Sequence, residues 1–187
     1  MVFTAPSGAG KTTIVRYLLN KYDFLGFSVS ATTRKMREGE EEGKDYYFLS
    51  SEEFKEKIHS QEFVEWEEVY SGQYYGTLKS EIERLWELEK TIVFDIEVNG
   101  ASSIKDKFGK KAHVVFIKPP SLEILVERLK NRKTETEESL KKRIRRVKRE
   151  LSFENSFDYV LVNDVLDTTL KEAEIITESF IFGKLIE

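Results

Sequence analysis

Short apolar runs alternate with amphipathic stretches along most of this chain, the pattern of strands interleaved with helices in an α/β fold. Met1-Val2-Phe3-Thr4 reads as the end of a buried strand, and Thr12 to Tyr22 as the helix after it. Gly26-Phe27-Ser28-Val29-Ser30 has the β-branched and aromatic character of a second strand. Thr91-Ile92-Val93-Phe94-Asp95-Ile96 is the clearest buried strand, and Ala112 to Ile117 and Tyr159 to Val162 read as further core strands. Helices are predicted over Val98 to Phe108, from Leu122 behind a Ser121 cap, and as an amphipathic run from Leu166 to Leu185.

Between residues 31 and 80 the pattern changes. Gly43 to Leu49 reads as a turn and strand, and Ser50 or Ser51 caps a short helix with Glu52 and Glu53 in its first turn. Phe63 to Tyr70 alternates like a strand, Ser71-Gly72-Gln73 is a turn, and Tyr74 to Thr77 leads into a helix from Leu78 to Leu88. A small mixed or antiparallel, aromatic-rich insertion is the expected result. From Arg128 to Arg149 two cationic helices flank the acidic turn Thr134 to Ser139, where Thr134 or Thr136 can cap the second helix and Glu137 or Glu138 sits in its first turn.

Ala5-Pro6-Ser7-Gly8-Ala9-Gly10-Lys11-Thr12 supplies the chemistry on which this pattern is organised. It matches the phosphate-binding loop G-x-x-x-x-G-K-[ST] with Ala5 at the first glycine, between a strand and a helix as the motif requires. Gly8 and Gly10 can take backbone angles that turn successive N–H groups toward phosphate oxygens. The positive end of the following helix faces the same anion. Lys11 would reach the β- and γ-phosphates, and the Thr12 hydroxyl would sit on Mg²⁺. The four residues before the loop are few for a central parallel strand, so further residues are expected ahead of Met1.

The 187 residues suffice for one domain with a proper core, or a core with insertions. A charged fraction of 34% and an apolar fraction of 40% are ordinary for a soluble protein. No apolar run reaches membrane-spanning length, and no signal peptide is visible. There is no cysteine, which excludes disulfides and thiolate metal sites. A net charge of −4 and a pI near 5.5 argue against a general nucleic-acid binder. The expectation is a cytoplasmic protein that binds small anions through local clusters of arginine and lysine, with neither a nucleic acid nor a membrane as partner.

Three stretches offer such chemistry. Arg34 and Arg37, ringed by hydroxyls in Ser30 to Glu40, suit a phosphate or carboxylate; a solvated loop is the alternative. Asp95 and Glu97 stand where the carboxyl end of a parallel strand faces a ligand crevice, so an acid there is a candidate for the Mg²⁺ shell or, more blandly, a helix cap or a solvated strand end. The arginines of 128–149 fit a solvated helix pair, a nucleic-acid surface or a mobile lid over transferring phosphates; the acidic total charge and the phosphate loop favour the lid. His59 near a helix end and His113 in an apolar strand are expected to be structural.

Together these residues resemble the guanylate kinase family over nearly the whole chain. Ser28-Val29-Ser30-Ala31-Thr32-Thr33-Arg34, with Arg37, Gly39-Glu40, Gly43 and Asp45-Tyr46, looks like the family's GMP-phosphate signature. Glu65-Trp66, Tyr75-Gly76-Thr77, Asp95 to Gly100, Arg132 with Thr134 to Glu137, Arg143, and Asn163-Asp164 follow in the family's order. The resemblance implies a P-loop core (1–30, 81–126 and 151–187), a GMP-binding subdomain (31–80) and a lid (127–150). It implies that Ala5 to Thr13 bind ATP with Arg128, Arg132 and Asn163, the last beside the adenine. Ser30, Arg34, Arg37, Tyr46 and Tyr75 would hold the GMP phosphate, with Ser30 also touching the base. Glu65 and Glu97 would accept from the guanine N1–H and amine, with Thr77 nearby. Asp95 would lie in the outer shell of Mg²⁺, and Lys11, Arg34, Arg132 and Arg143 would act on the transferring group.

The implied reaction is MgATP + GMP to ADP + GDP in purine nucleotide metabolism, with dGMP accepted too. The alternatives are a non-catalytic guanylate-kinase-like interaction module and a monophosphate kinase of different base preference. Two positions depart from the family pattern. Ala5 replaces the usual glycine, with little loss expected. Glu97 replaces the common aspartate, and its extra methylene moves the carboxylate by about 1.5 Å, so base contact is direct, re-angled or through water.

Overall fold

The structure, a computed structural model, describes residues 1–130 and 137–183. In chain order its strands are β1 (Val2–Thr4), β2 (Leu25–Phe27), β3 (Ala31–Thr32), β4 (Tyr47–Phe48), β5 (Phe63–Tyr70), β6 (Gln73–Leu78), β7 (Thr91–Asp95), β8 (Val114–Lys118) and β9 (Tyr159–Val162). Its helices are α1 (Lys11–Lys21), α2 (Ser51–His59), α3 (Lys79–Glu87), α4 (Val98–Phe108), α5 (Leu122–Lys130), α6 (Glu137–Leu151) and α7 (Leu166–Phe182). They form two compact units, Met1–Tyr22 with Asp95 onward, and Asp23–Phe94.

In the first unit β1, β8 and β9 run parallel, with Phe3 opposite Val115 and Phe116 opposite Val160. Strands buried on both faces need continuous apolar runs, and Val114 to Ile117 are all fully buried. Ile14 and Leu18 of α1, Ile104 of α4, Leu125 of α5 and Ile176 of α7 are buried as well. β8 starts at Val114, two residues later than its apolar pattern, because the Ala112 N–H closes a 3₁₀ turn onto the Gly109 carbonyl (3.2 Å). The expected Ser121 cap is present, accepting from the Ile124 N–H at 3.3 Å. Helix α7 reaches Phe182, and Gly183 turns left-handed behind it; Leu185 lies outside the described residues, as do Thr134 and Thr136.

The second unit pairs β2 and β7 in parallel and contains a four-stranded mixed sheet in the order β4-β3-β6-β5. β3 runs parallel to β4, and β6 antiparallel to both β3 and β5. Phe54 and Phe63 stack at 4.4 Å in its core, with Ala31 and Leu78. Ser50 and Glu53 form a reciprocal capping box at α2. The structure departs from the sequence pattern at three points here. β2 ends at Phe27 instead of Ser30: the Ser28 N–H still bonds the Val93 carbonyl, but the Val29 N–H goes to the Glu81 carboxylate. Ala31 and Thr32 form a strand within the polar stretch, too short to show any period. Leu78 closes β6 and precedes α3 instead of opening it.

Candidate functional site

In the phosphate loop Gly8 and Gly10 have φ of 93° and 95°, angles that L side chains rarely adopt. The loop closes locally, the Ala9 N–H bonding the Pro6 carbonyl at 3.1 Å. Ala5 is buried and has no positive φ, so its backbone does not need a glycine. Helix α1 then opens without a side-chain cap and without an acid in its first turn. No capping side chain therefore competes with an anion at this helix start, in contrast to the fully boxed start of α2.

Lys11 lies in the first turn of α1. Its Nζ pairs with Asp95 Oδ1 at 2.6 Å and donates to the Ile96 carbonyl at 2.9 Å. The Thr12 hydroxyl is 3.4 Å from Asp95 Oδ2. Lysine, threonine and the acid ending β7 thus converge at the mouth of the loop, while Thr13 is exposed one residue on. Among the described residues, no group of three or more His, Asp or Glu side chains is arranged to hold a metal ion. A hard ion that keeps water and phosphate as most of its ligands needs no such cage, and the Thr12 and Asp95 oxygens suit it.

Asn163, expected beside adenine, is buried and donates its amide to the Ala9 carbonyl at 2.7 Å. Arg128 Nη2 reaches the Asn163 carbonyl at 3.3 Å. A Cβ on Gly10 would come within 2.2 Å of the Asn163 amide nitrogen. Gly10→Ala is therefore expected to displace Asn163, to destabilise the protein by about 2 kcal/mol, and to lower Tm by roughly 4–8 °C. Thermal unfolding checks this, and an unchanged Tm would refute the strut role of Asn163. Arg143 is half-buried on α6; Arg132 lies outside the described residues. Glu97 sits at the N-cap of α4 but does not cap it; its carboxylate accepts from Arg146 Nη2 at 2.9 Å. Arg146 also donates through Nε to Glu150 at 2.5 Å. The sequence gives no sign of that ion pair, since it shows Arg146 only as one of many cations on its helix.

The second unit gathers Ser30, Arg34, Tyr46, Glu65, Tyr75 and Thr77. Ser30 is buried next to β3. Arg34 lies over the Tyr46 ring at 5.1 Å, and the Tyr46 and Tyr75 rings meet edge to face at 5.9 Å. Both arms of the Arg34 fork reach Glu40, at 2.9 and 2.8 Å. Arg34 lowers the Glu40 pKa to about 2, aided by the Arg37 N–H. A carboxylate thus occupies the fork that would grip a planar or tetrahedral oxyanion. Glu40 stands in the motif, but nothing in its spacing points to this pairing. Arg37 is exposed beside it.

Glu65 is 8% exposed on β5, directly opposite Thr77 on β6. The Thr77 hydroxyl donates to it at 2.6 Å. Burial pushes its pKa up to about 7; Thr77 offsets this in part, and the nearby Glu67 adds to it. Gly76 permits this close strand approach, since a Cβ there would meet the Glu65 carbonyl oxygen at 2.8 Å. The histidines stay structural: His59 ends α2 exposed, and His113 stacks on Phe180 at 5.0 Å.

Among the described residues, no helix is long and apolar enough to cross a membrane. The guanylate kinase family model matches residues 1–179. The chain is 45% identical to a guanylate kinase of Porphyromonas gingivalis over 182 residues, 97% of each chain. It is 48% identical to a guanylate kinase of Salinibacter ruber, covering 92% of this chain and 91% of that one. It also superposes on the crystal structure of guanylate kinase from Anaplasma phagocytophilum with a TM-score of 0.75 at 30% identity, covering 96% of this chain and 85% of that one.

Proposed function

The chain belongs to the guanylate kinase family, and on that premise we propose that it transfers the γ-phosphoryl group of ATP to GMP, giving ADP and GDP. The observation that carries the base preference is Glu65, a buried carboxylate beside Thr77 with its pKa raised to about 7. Such a group gains most from a ligand that brings N–H donors. The Watson–Crick edge of guanine presents two adjacent donors, N1–H and the exocyclic amine. Adenine presents an unprotonated N1 beside a single amine on that edge, so it cannot offer the acid two adjacent donors. Glu97 is the second acceptor in this reading, reached directly or through water. dGMP is accepted as well, since no assigned contact uses the 2′-hydroxyl.

No covalent nucleophile and no strong general base are required, because the GMP phosphate is already ionised at neutral pH. The protein's work is to orient two polyanions, neutralise them and exclude water. Ala5 to Thr13 cradle the ATP phosphates, with Lys11 on the β- and γ-groups. Ser30, Arg37, Tyr46 and Tyr75 hold the acceptor phosphate, and Arg34 joins them by exchanging its Glu40 partner for it. Arg128, Arg132 and Arg143 answer the charge that develops during transfer. A divalent ion carried with ATP, here Mg²⁺, would be held by Thr12 with Asp95 in its outer shell, and supplies further neutralisation of the phosphates. Asn163 lies beside the adenine of ATP in this reading and also holds the loop through the Ala9 carbonyl.

An ADP-release assay tests this reading. GMP-dependent ADP formation supports it; release no faster than without an acceptor contradicts it. A pH dependence follows from Glu65, which is ionised above about 7 and neutral below. Neutral Glu65 meets the guanine donors with a proton of its own, so KM for GMP is expected to rise about tenfold from pH 8 to pH 6. Running Glu65→Gln in parallel separates this from titration of the GMP phosphate. A slope that survives in the variant would rule Glu65 out as its source.

A further inference from the structure

The second unit contains another buried carboxylate, in a very different setting. Glu81, in the first turn of α3, is 2% exposed. Its Oε1 accepts from the Val29 N–H at 2.9 Å and from Arg84 Nη2 at 2.7 Å. Its Oε2 accepts from the Tyr47 hydroxyl at 3.1 Å and from Arg84 Nε at 2.9 Å. Burial raises its pKa, but Arg84, the Val29 N–H and Tyr47 outweigh that and hold it below the ordinary carboxylate value. Where Glu65 is poised for new donors, Glu81 is saturated.

A saturated buried ion pair is weak evidence for stability, since an apolar side chain of similar size often serves the fold as well. What Glu81 joins is more telling. Val29 immediately precedes Ser30, and Tyr47 immediately follows Tyr46. The two segments also touch directly, the Tyr47 N–H bonding the Ser30 carbonyl at 2.9 Å. Glu81 itself is carried on the helix that begins two residues after Thr77. Val29, where it takes the backbone N–H, is the residue at which β2 has already left its ladder. Three segments that bear acceptor-site side chains are thus tied to one carboxylate, each within four residues of the group it would position.

We propose that Glu81 is a positioning residue of the acceptor site: by holding Val29 and Tyr47 together it sets the spacing between Ser30, Tyr46 and the strand end that carries Thr77. This rests on the GMP-binding reading of those residues. Glu81 touches no substrate. It acts by preorganising groups whose small misplacement would weaken acceptor binding steeply.

The test compares Glu81→Leu, Glu81→Gln and Tyr47→Phe with wild type by KM for GMP, KM for ATP, kcat and Tm. Glu81→Leu is expected to raise KM for GMP about tenfold or more and to leave KM for ATP within about twofold. Glu81→Gln, which keeps an acceptor for the Val29 N–H, is expected to recover most of that loss. Tyr47→Phe, which removes one donor and no bulk, is expected to raise KM for GMP by about two- to fourfold, roughly the worth of one hydrogen bond. If Glu81→Leu folds and its KM for GMP stays within twofold of wild type, the proposal is overturned, whatever its Tm. If that variant does not fold, an unchanged KM for GMP in Tyr47→Phe overturns it. A wild-type enzyme inactive on GMP removes the underlying reading and this inference with it; an active wild type with unmoved variants removes the inference alone.

Discussion

Replacing Lys11 with alanine is expected to lower kcat by about a hundredfold or more while leaving GMP affinity within about twofold. The Lys11 ammonium is 2.6 Å from Asp95 and 2.9 Å from the Ile96 carbonyl, so its position is fixed from the far side of the loop. A pre-placed cation is worth most where charge moves during the reaction, because no reorganisation is then needed. Alanine at this position also leaves Asp95 without its lysine, placing a bare carboxylate where phosphate must come. The two effects act in the same direction on turnover. The side chain is partly exposed and the helix start depends on backbone groups, so the fold should survive. Steady-state kinetics with both substrates check this. An unchanged kcat, or a loss confined to KM for GMP, would contradict the role given to Lys11.

Glu65→Gln is expected to weaken GMP binding by about 30- to 150-fold, the equivalent of leaving one buried donor badly paired at about 2–3 kcal/mol. ATP binding should not change. The same substitution is expected to stabilise the ligand-free protein at pH 8. Glu65 has its pKa raised to about 7 by burial, so folding favours its neutral form. The stability it contributes is complete below its ordinary pKa and is lost as pH rises through 7. At pH 8 the folded protein therefore carries a penalty on the order of 3 kcal/mol, which an amide does not. Loss of ligand affinity together with a gain in Tm of several degrees at pH 8, fading by pH 5, distinguishes this from general damage. Calorimetry and thermal unfolding on one preparation test both halves. Equal losses for GMP and ATP, or a lower Tm at pH 8, would refute the account of Glu65.

Much of this is legible in the sequence, for identifiable physical reasons. The phosphate loop is contiguous and its two glycines have a geometric duty, so Gly8 and Gly10 appear at the positive φ that the motif demands. β5, α4 and β9 begin and end where their patterns place them. What stayed hidden depends on side chains that meet across sequence. Glu40 closing the Arg34 fork, Arg146 reaching Glu97, and Glu81 drawing the Val29 N–H out of a strand all come from packing that no local period encodes. Asn163 shows a related limit. Its buried amide also holds the Ala9 carbonyl of the loop, a role that its place in the family pattern does not show.

A buried carboxylate that recognises guanine makes the choice of acceptor steep. The most direct measurement is kcat/KM for GMP, AMP, CMP and UMP, each with saturating MgATP. GMP is expected above AMP by roughly 10³-fold or more, with that margin collapsing in Glu65→Gln; comparable values for AMP and GMP in the wild-type enzyme would overturn the guanine assignment of Glu65.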